Sequence, residues 1–205
     1  ITPYTKAIMA VDIFGHPADV DALMDIANRH NLKLITDSAQ APGSMYKGAL
    51  TGTTSHVGGY SLNYHKHIHT GEGGILVTND DDIADRLRLI RNHAEAVVEG
   101  MGITDISNMV GNNYRLGEIE CAIGIEQLKK LPKQVLGRQK AAERLTAALS
   151  GLIGLQTPLV MPDCTHSYYM YPMVLDIDCL GVSRGRIIEA LSAEGVSGLT
   201  AGYVN

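Results

Sequence analysis

Ser61-Leu62-Asn63-Tyr64-His65-Lys66-His67-Ile68-His69-Thr70-Gly71-Glu72-Gly73-Gly74 is the stretch from which the rest of the chain is read. An apolar run ends on Ser61 and glycines follow, so Lys66 falls between a strand end and a glycine turn. A lysine there is placed to carry an amine into a cleft, where desolvation makes an amine nucleophilic and able to form a Schiff base. Ser61, five residues earlier, adds a hydroxyl, and the glycines let backbone approach closely. Together they suit a small ligand bearing a phosphate. The same residues also read as a surface lysine in a glycine-rich hairpin, and the stretch alone does not choose between the two.

Asp37-Ser38-Ala39-Gln40 favours the first reading. It follows the apolar run Leu32-Lys33-Leu34-Ile35 and so stands where a buried parallel strand ends, the edge at which open α/β sheets bind ligands. An aspartate after a strand is often a helix cap or turn former. A buried one can instead hold a pyridine nitrogen protonated and so make a cofactor ring an electron sink. Aspartate first, and lysine at a later strand end, fits a pyridoxal-phosphate site.

The rest of the pattern is α/β. Ala7 to Val11 has the length of a buried strand, with Asp12 to Gly15 as the turn after it. Pro17 and Asp19 open a helix with Val20, Leu23, Met24 and Ala27 at helical spacing, which ends near His30-Asn31. With the strand from Leu32 this makes a βαβ unit and predicts a parallel pair. Pro42 to Thr54 is expected as a loop, Val57 to Leu62 as a strand, and Gly73 to Thr78 as a strand returning beside it. Asp80 to Arg91 is expected as a helix, Ala94 to Asn112 as an irregular crossing, and Leu116 to Leu131 as a helix with Ile119, Ala122, Ile123, Ile125 and Leu128 on one side. Pro132 kinks or restarts it, and a second long helix runs to about Leu149. Tyr168 to Ile177 reads as a strand, and Ser183 caps a helix that Gly195 closes.

Composition narrows the classes. The chain has 205 residues, 45% hydrophobic and 19% charged, which suits a globular protein and excludes wholesale disorder. A formal charge of −5 with scattered basic residues leaves no footprint for nucleic acid, so no nucleic-acid partner is expected. No apolar run is long enough to span a membrane, so no membrane partner is expected. Cys121, Cys164 and Cys179 lack CxxC spacing and suit reduced thiols, which gives a cytoplasmic expectation. His65, His67 and His69 would share a face if extended and could then hold a metal, but with Lys66 among them and no further ligand they read as polar residues of a substrate loop. Both ends read as interior sequence, which predicts either part of a longer protein or a truncated product.

On Asp37-Ser38-Ala39-Gln40, Ser61 with Lys66 and Gly71-Glu72-Gly73-Gly74, Arg91-Asn92-His93, and Asn113-Tyr114-Arg115-Leu116, the chain resembles the sugar-nucleotide aminotransferases of the DegT type, pyridoxal-phosphate enzymes of fold type I. The resemblance spans nearly the whole chain. It implies part of a large domain over 1–112, with a mixed, mostly parallel sheet and flanking helices. Connecting helices over 113–152 and the start of a small C-terminal α+β domain over 153–205 would complete the chain. It implies that Lys66 is the internal-aldimine lysine and that Asp37 pairs with the pyridinium nitrogen. Gln40 would sit by the cofactor's phenolic oxygen, Ser61 would bind its phosphate, and Asn113 would bind the phosphate of the neighbouring subunit in a homodimer with shared sites. The implied reaction moves an amino group from an amino acid, L-glutamate by family habit, to a keto sugar nucleotide, in amino-sugar synthesis for a surface polysaccharide or secondary metabolite. Two alternatives stand beside it. One is the family's sugar dehydratases, in which histidine replaces the lysine; the other is a catalytically silent fragment serving as an interaction module. The family's N-terminal phosphate turn and ring-stacking aromatic find no match here.

Overall fold

In a computed structural model, residues 1–94 and 109–202 are described. Four strands form the main sheet: β1 (Ala7–Val11), β2 (Lys33–Asp37), β5 (Val57–Ser61) and β6 (Gly74–Val77). They lie in the order β1-β2-β5-β6. β1 pairs parallel with β2, β2 parallel with β5, and β6 returns antiparallel to β5. The parallel first pair is what the helix between β1 and β2 requires, because a short turn cannot bring two parallel strands together.

That helix, α1 (Val20–Arg29), is started by Asp19, whose carboxylate accepts the Ala22 N–H at 3.4 Å. Its apolar side packs on the sheet: Val20, Ala27, Leu32 and Leu34 are buried with Ala10 and Tyr46, and Ile8, Leu23 and Met24 close around them. Burial of each large aliphatic side chain is worth about 1.5–3 kcal/mol, so this cluster is what fixes the sheet to the helix. Asp80 caps α2 (Asp81–Arg91) through the Ile83 N–H at 3.1 Å.

The segment 42–54 is not a plain loop. It holds a two-residue ladder, β3 (Met45–Tyr46) against β4 (Ala49–Leu50), turned by Lys47 and Gly48, both at positive φ. Such a turn favours residues tolerant of left-handed backbone, and two-residue strands are too short to show a period in sequence. Most of the crossing expected over 94–112 lies outside the described residues; at its ends Asn92 bridges to Asn113, and Tyr114 N–H reaches the Arg91 carbonyl at 2.9 Å.

α3 (Glu118–Leu128) and α4 (Leu131–Leu149) follow. Pro132 occupies the first turn of α4, where no helical N–H is needed, so it restarts the helix and does not kink one. Two compact units result. The first comprises Ile1–Lys140 with Val160–Met170; the second comprises Ala141–Leu159 with the chain from Tyr171 onward. Within the second, β7 (Leu155–Gln156) pairs antiparallel with β8 (Val174–Leu175), and α5 (Ile177–Leu180) and α6 (Arg184–Ala193) are capped by Asp176 and Ser183. The strand expected over 168–177 is reduced to Val174–Leu175. Tyr168 has φ +50, and its N–H turns back to His166 Nδ1 at 2.9 Å, so the chain cannot be extended there.

Candidate active site

The parallel register decides where the candidate residues lie. Val11, Asp37 and Gly59 stand side by side across β1, β2 and β5, so Asp12, Asp37 and Ser61 all fall at the carboxyl edge of the sheet. Asp12 is fully buried there. Its carboxylate accepts the Ser38 hydroxyl at 2.6 Å and the Ala18 N–H at 2.9 Å. Burial pushes this carboxyl above the usual range, and those two bonds oppose the rise. Asp12 was read from sequence as a turn residue. Its support of Ser38 crosses two strands and leaves no local sign.

Asp37 is half-buried and accepts the Ala39 N–H at 3.0 Å through one oxygen. Among the described residues it enters no ion pair. Gln40 is buried, and its side-chain carbonyl accepts the Phe14 N–H at 2.7 Å, holding the positive-φ turn after β1. The two loops that follow β1 and β2 are thus tied together.

The lysine loop folds on Asn63 and Glu72. Ser61 Oγ accepts the Asn63 N–H at 3.2 Å, Asn63 Oδ1 accepts the His65 N–H at 3.1 Å, and the Asn63 amide donates to Glu72 at 2.7 Å. The Lys66 N–H closes a turn on the Asn63 carbonyl at 2.9 Å. Leu62 and Ile68 are buried and anchor the loop from below. Lys66 is half-buried, has no carboxylate partner among the described residues, and lies with its Nζ 4.8 Å from the centroid of the Tyr169 ring. Tyr169 was not singled out from sequence; an aromatic more than a hundred residues away gives no spacing to read.

The three histidines of the loop do not share a face, because the chain turns there. His65 is exposed against Tyr64. His67 is buried with Nε2 3.0 Å from the Ser167 carbonyl, and burial lowers its basicity. No group of three or more metal-binding side chains occurs among the described residues. Asn113 is exposed, pairs with Asn92 and accepts the Arg115 N–H at 3.4 Å, and among the described residues it shares no hydrogen bond with Asp37, Gln40, Ser61 or Lys66.

Comparison with known proteins gives this edge a context. The profile of the DegT/DnrJ/EryC1/StrS aminotransferase family matches residues 1–201. The chain belongs to this family. It is 35% identical over 201 residues to the GDP-perosamine synthase of Caulobacter vibrioides, covering 96% of this chain and 52% of that protein. Its fold matches the crystal structure of Streptomyces venezuelae DesV in complex with a ketimine intermediate at a TM-score of 0.84 and 33% identity, over 100% of this chain and 52% of that one. It matches the E. coli GDP-4-keto-6-deoxy-D-mannose-3-dehydratase with bound hydrated PLP at 0.82 and 29% identity, over 96% and 53%. The chain therefore has the α/β fold of these family members and spans about half the length of the relatives it matches.

Proposed function

We propose that the protein to which this chain belongs is a pyridoxal-phosphate-dependent aminotransferase. It moves an amino group from an amino acid, L-glutamate in this reading, to a keto sugar nucleotide in amino-sugar synthesis. The observation that carries the reading is the pair Asp37 and Lys66: a carboxylate and an amine at one end of the sheet, neither with an ion-pair partner among the described residues. Half-buried charges are ordinarily paired, so each fits a partner supplied from outside the chain. The family match and the PLP-containing structure of the dehydratase relative support the choice of cofactor.

Asp37 would face the cofactor's ring nitrogen and keep it protonated. Ser61 would donate its hydroxyl to the phosphate; that hydroxyl accepts from Asn63 and has no acceptor of its own among the described residues. Gln40 would lie beside the phenolic oxygen. Bound there, the cofactor withdraws electrons from the substrate's Cα–H bond. Lys66 would take the proton from the substrate Cα and return it on the far side of the transfer, as general base and then acid. Asn113 would serve the phosphate of a second copy in a homodimer; its exposure and the lack of a hydrogen bond to the other candidates among the described residues fit that reading.

The domain reading goes with it: a large domain over 1–112, connecting helices over 113–152 and a small domain from 153. We place the enzyme in the cytoplasm, where its three free thiols would stay reduced. Among the described residues no helix is long and apolar enough to cross a membrane. The dehydratase relative favours a second reading, loss of a hydroxyl in place of nitrogen transfer. Lysine at position 66 favours transamination. The test is a full-length preparation with pyridoxal phosphate: borohydride should fix the cofactor on Lys66, and glutamate should bleach the visible-edge absorbance. A label on another residue, or none, would remove Lys66 from its role.

A further inference from the structure

Among the described residues the Lys66 amine does not rest on an acid. Its nearest charged-state partner among the described contacts is the face of Tyr169, with Nζ 4.8 Å from the ring centroid. Tyr169 belongs to the segment 166–170, which is tied to both halves of the candidate site. Ser167 N–H donates to the Gly15 carbonyl at 2.9 Å, and Ser167 Oγ lies 3.4 Å from the Gln40 carbonyl. On the other side the Ser167 carbonyl meets His67 Nε2 at 3.0 Å, one residue from the lysine. Arg138 Nη1 donates to the Tyr168 carbonyl at 2.9 Å. Gly15 has φ +103, and a Cβ there would come within 2.6 Å of Ser167 Oγ, so the segment sits against backbone that only glycine allows. A ring carried on so many main-chain anchors is held for something.

We propose that Tyr169 is a positioning residue for the Lys66 amine, its ring face receiving the ammonium whenever the amine is not covalently engaged. The proposal rests on the reading of Lys66 as the reacting amine. A ring face attracts an ammonium through its quadrupole without accepting a proton from it. A carboxylate in the same place would hold the charge more tightly and compete with the carbonyl that the amine must attack. The ring thus fixes the direction of a four-carbon side chain that would otherwise sample many rotamers, and releases it readily. His67, beside it, supports the arrangement in its neutral form: burial disfavours its charge, and Arg138 and Lys66 press the same way, so its ring adds no further cation beside the amine.

The test uses full-length protein carrying Tyr169→Phe or Tyr169→Leu, with folding checked by thermal melts. The apoprotein is examined first, by NMR on 13C-labelled lysine with Lys66 assigned through Lys66→Arg. The Lys66 ε-methylene should show a ring-current shift in the parent and in Tyr169→Phe, and lose it in Tyr169→Leu. Capture of the pyridoxal-phosphate aldehyde, in which the N–C bond forms and water leaves, should then slow about tenfold in Tyr169→Leu, where the lysine regains rotamer freedom, and recover in Tyr169→Phe. If Tyr169→Leu does not fold, Tyr169→Met retains bulk without a ring and carries the same expectation. Equal shifts and equal capture rates in the ring-bearing and ringless variants, with the borohydride label on Lys66, overturn this proposal alone. A label on another lysine overturns the assignment of Lys66 itself and is read from the same samples.

Discussion

Among the described residues Asp37 has no cation beside it, whereas its neighbour Asp12 is engaged by the fold. The two carboxylates stand on adjacent strands, yet Asp12 is satisfied by Ser38 and Ala18 and Asp37 by a single N–H from Ala39. Asp37→Asn keeps the shape and the Ala39 contact, since the amide oxygen still accepts. In the full-length enzyme it should leave capture of the cofactor by Lys66 intact while transamination falls by orders of magnitude, because the ring nitrogen loses its counterion. Near-normal turnover in single-turnover assays with glutamate would take Asp37 out of the site. His166 makes a second prediction. Burial holds its imidazole at about 4, with the neighbouring His16 and His67 adding to the effect, and its Nδ1 accepts the Tyr168 N–H as a neutral ring must. Its ordinary value is higher, so as pH falls the unfolded chain takes up the proton first. Stability should hold above about pH 6.5 and decline by about 3 kcal/mol on the way down to about pH 4. His166→Asn, whose amide oxygen can replace Nδ1, should remove that part of the slope in urea titrations; an unchanged slope would assign the acid sensitivity elsewhere. At this scale the places of Asp37, Ser61 and Lys66 could be read from sequence because each ends or follows a strand. Asp12, His166 and Tyr169 could not, since their roles are made by partners across the fold.

Among the elements, β5 shows how closely a site strand can be packed. Val57-Gly58-Gly59-Tyr60-Ser61 carries the site hydroxyl at its end, and a Cβ on Gly58 would fall into the backbone of Gly52. Gly52 in turn has φ +79 and lies against the Tyr60 and Ser38 hydroxyls. Tyr60 also donates its hydroxyl to the Thr51 carbonyl, so the loop before β5 is folded back onto the strand. Gly58→Ala should therefore destabilise by about 1–3 kcal/mol through overpacking. Gly137→Ala in α4, where an added Cβ meets open space, should stabilise by about 0.5–1 kcal/mol. Chemical denaturation of both variants checks the pair, and a neutral Gly58→Ala would mean that the loop gives way at little cost. The helices were legible because Asp19, Asp80 and Ser183 each mark a start with a real cap. The β3–β4 ladder was not, being two residues long, and neither was the break at Tyr168, which depends on a ring stacked on His166 at 3.9 Å. The strong period of α3 was legible as a helix but does not mark a buried face here, since Ile119 is 76% exposed and Ile125 and Leu128 are exposed as well.

Among the described residues, exposed apolar side chains occur on the outer strands of the main sheet and on α3 as well as elsewhere. Met9 on β1 is 66% exposed and Leu76 on β6 is 59% exposed, both on strands that pair on one side only among the described residues. Open edges flanked by apolar side chains pair with whatever they meet. The 205-residue chain expressed by itself should therefore self-associate, and sedimentation of the chain against a Leu76→Lys, Ile123→Glu variant should show the variant smaller; equal sizes would mean these residues are not where it sticks. α3 also frames the proposed assembly. Asn113 stands just ahead of that exposed helix, and among the described residues it bridges to Asn92, accepts the Arg115 N–H and shares no hydrogen bond with the residues assigned to the cofactor. In the proposed assembly it serves the partner's phosphate, and a symmetric dimer would then have two composite sites, each with Lys66 from one copy and Asn113 from the other. This arrangement makes an asymmetric demand. In full-length protein, a Lys66→Ala chain paired with an Asn113→Ala chain puts both defects in one site and none in the other. Random mixing of the two inactive variants should restore about a quarter of the parent activity, since about half the dimers are mixed and each has one intact site. Sites built within a single chain would leave every site with one defect. A purified mixed dimer with no activity above its parents would therefore place Asn113 outside the partner's site.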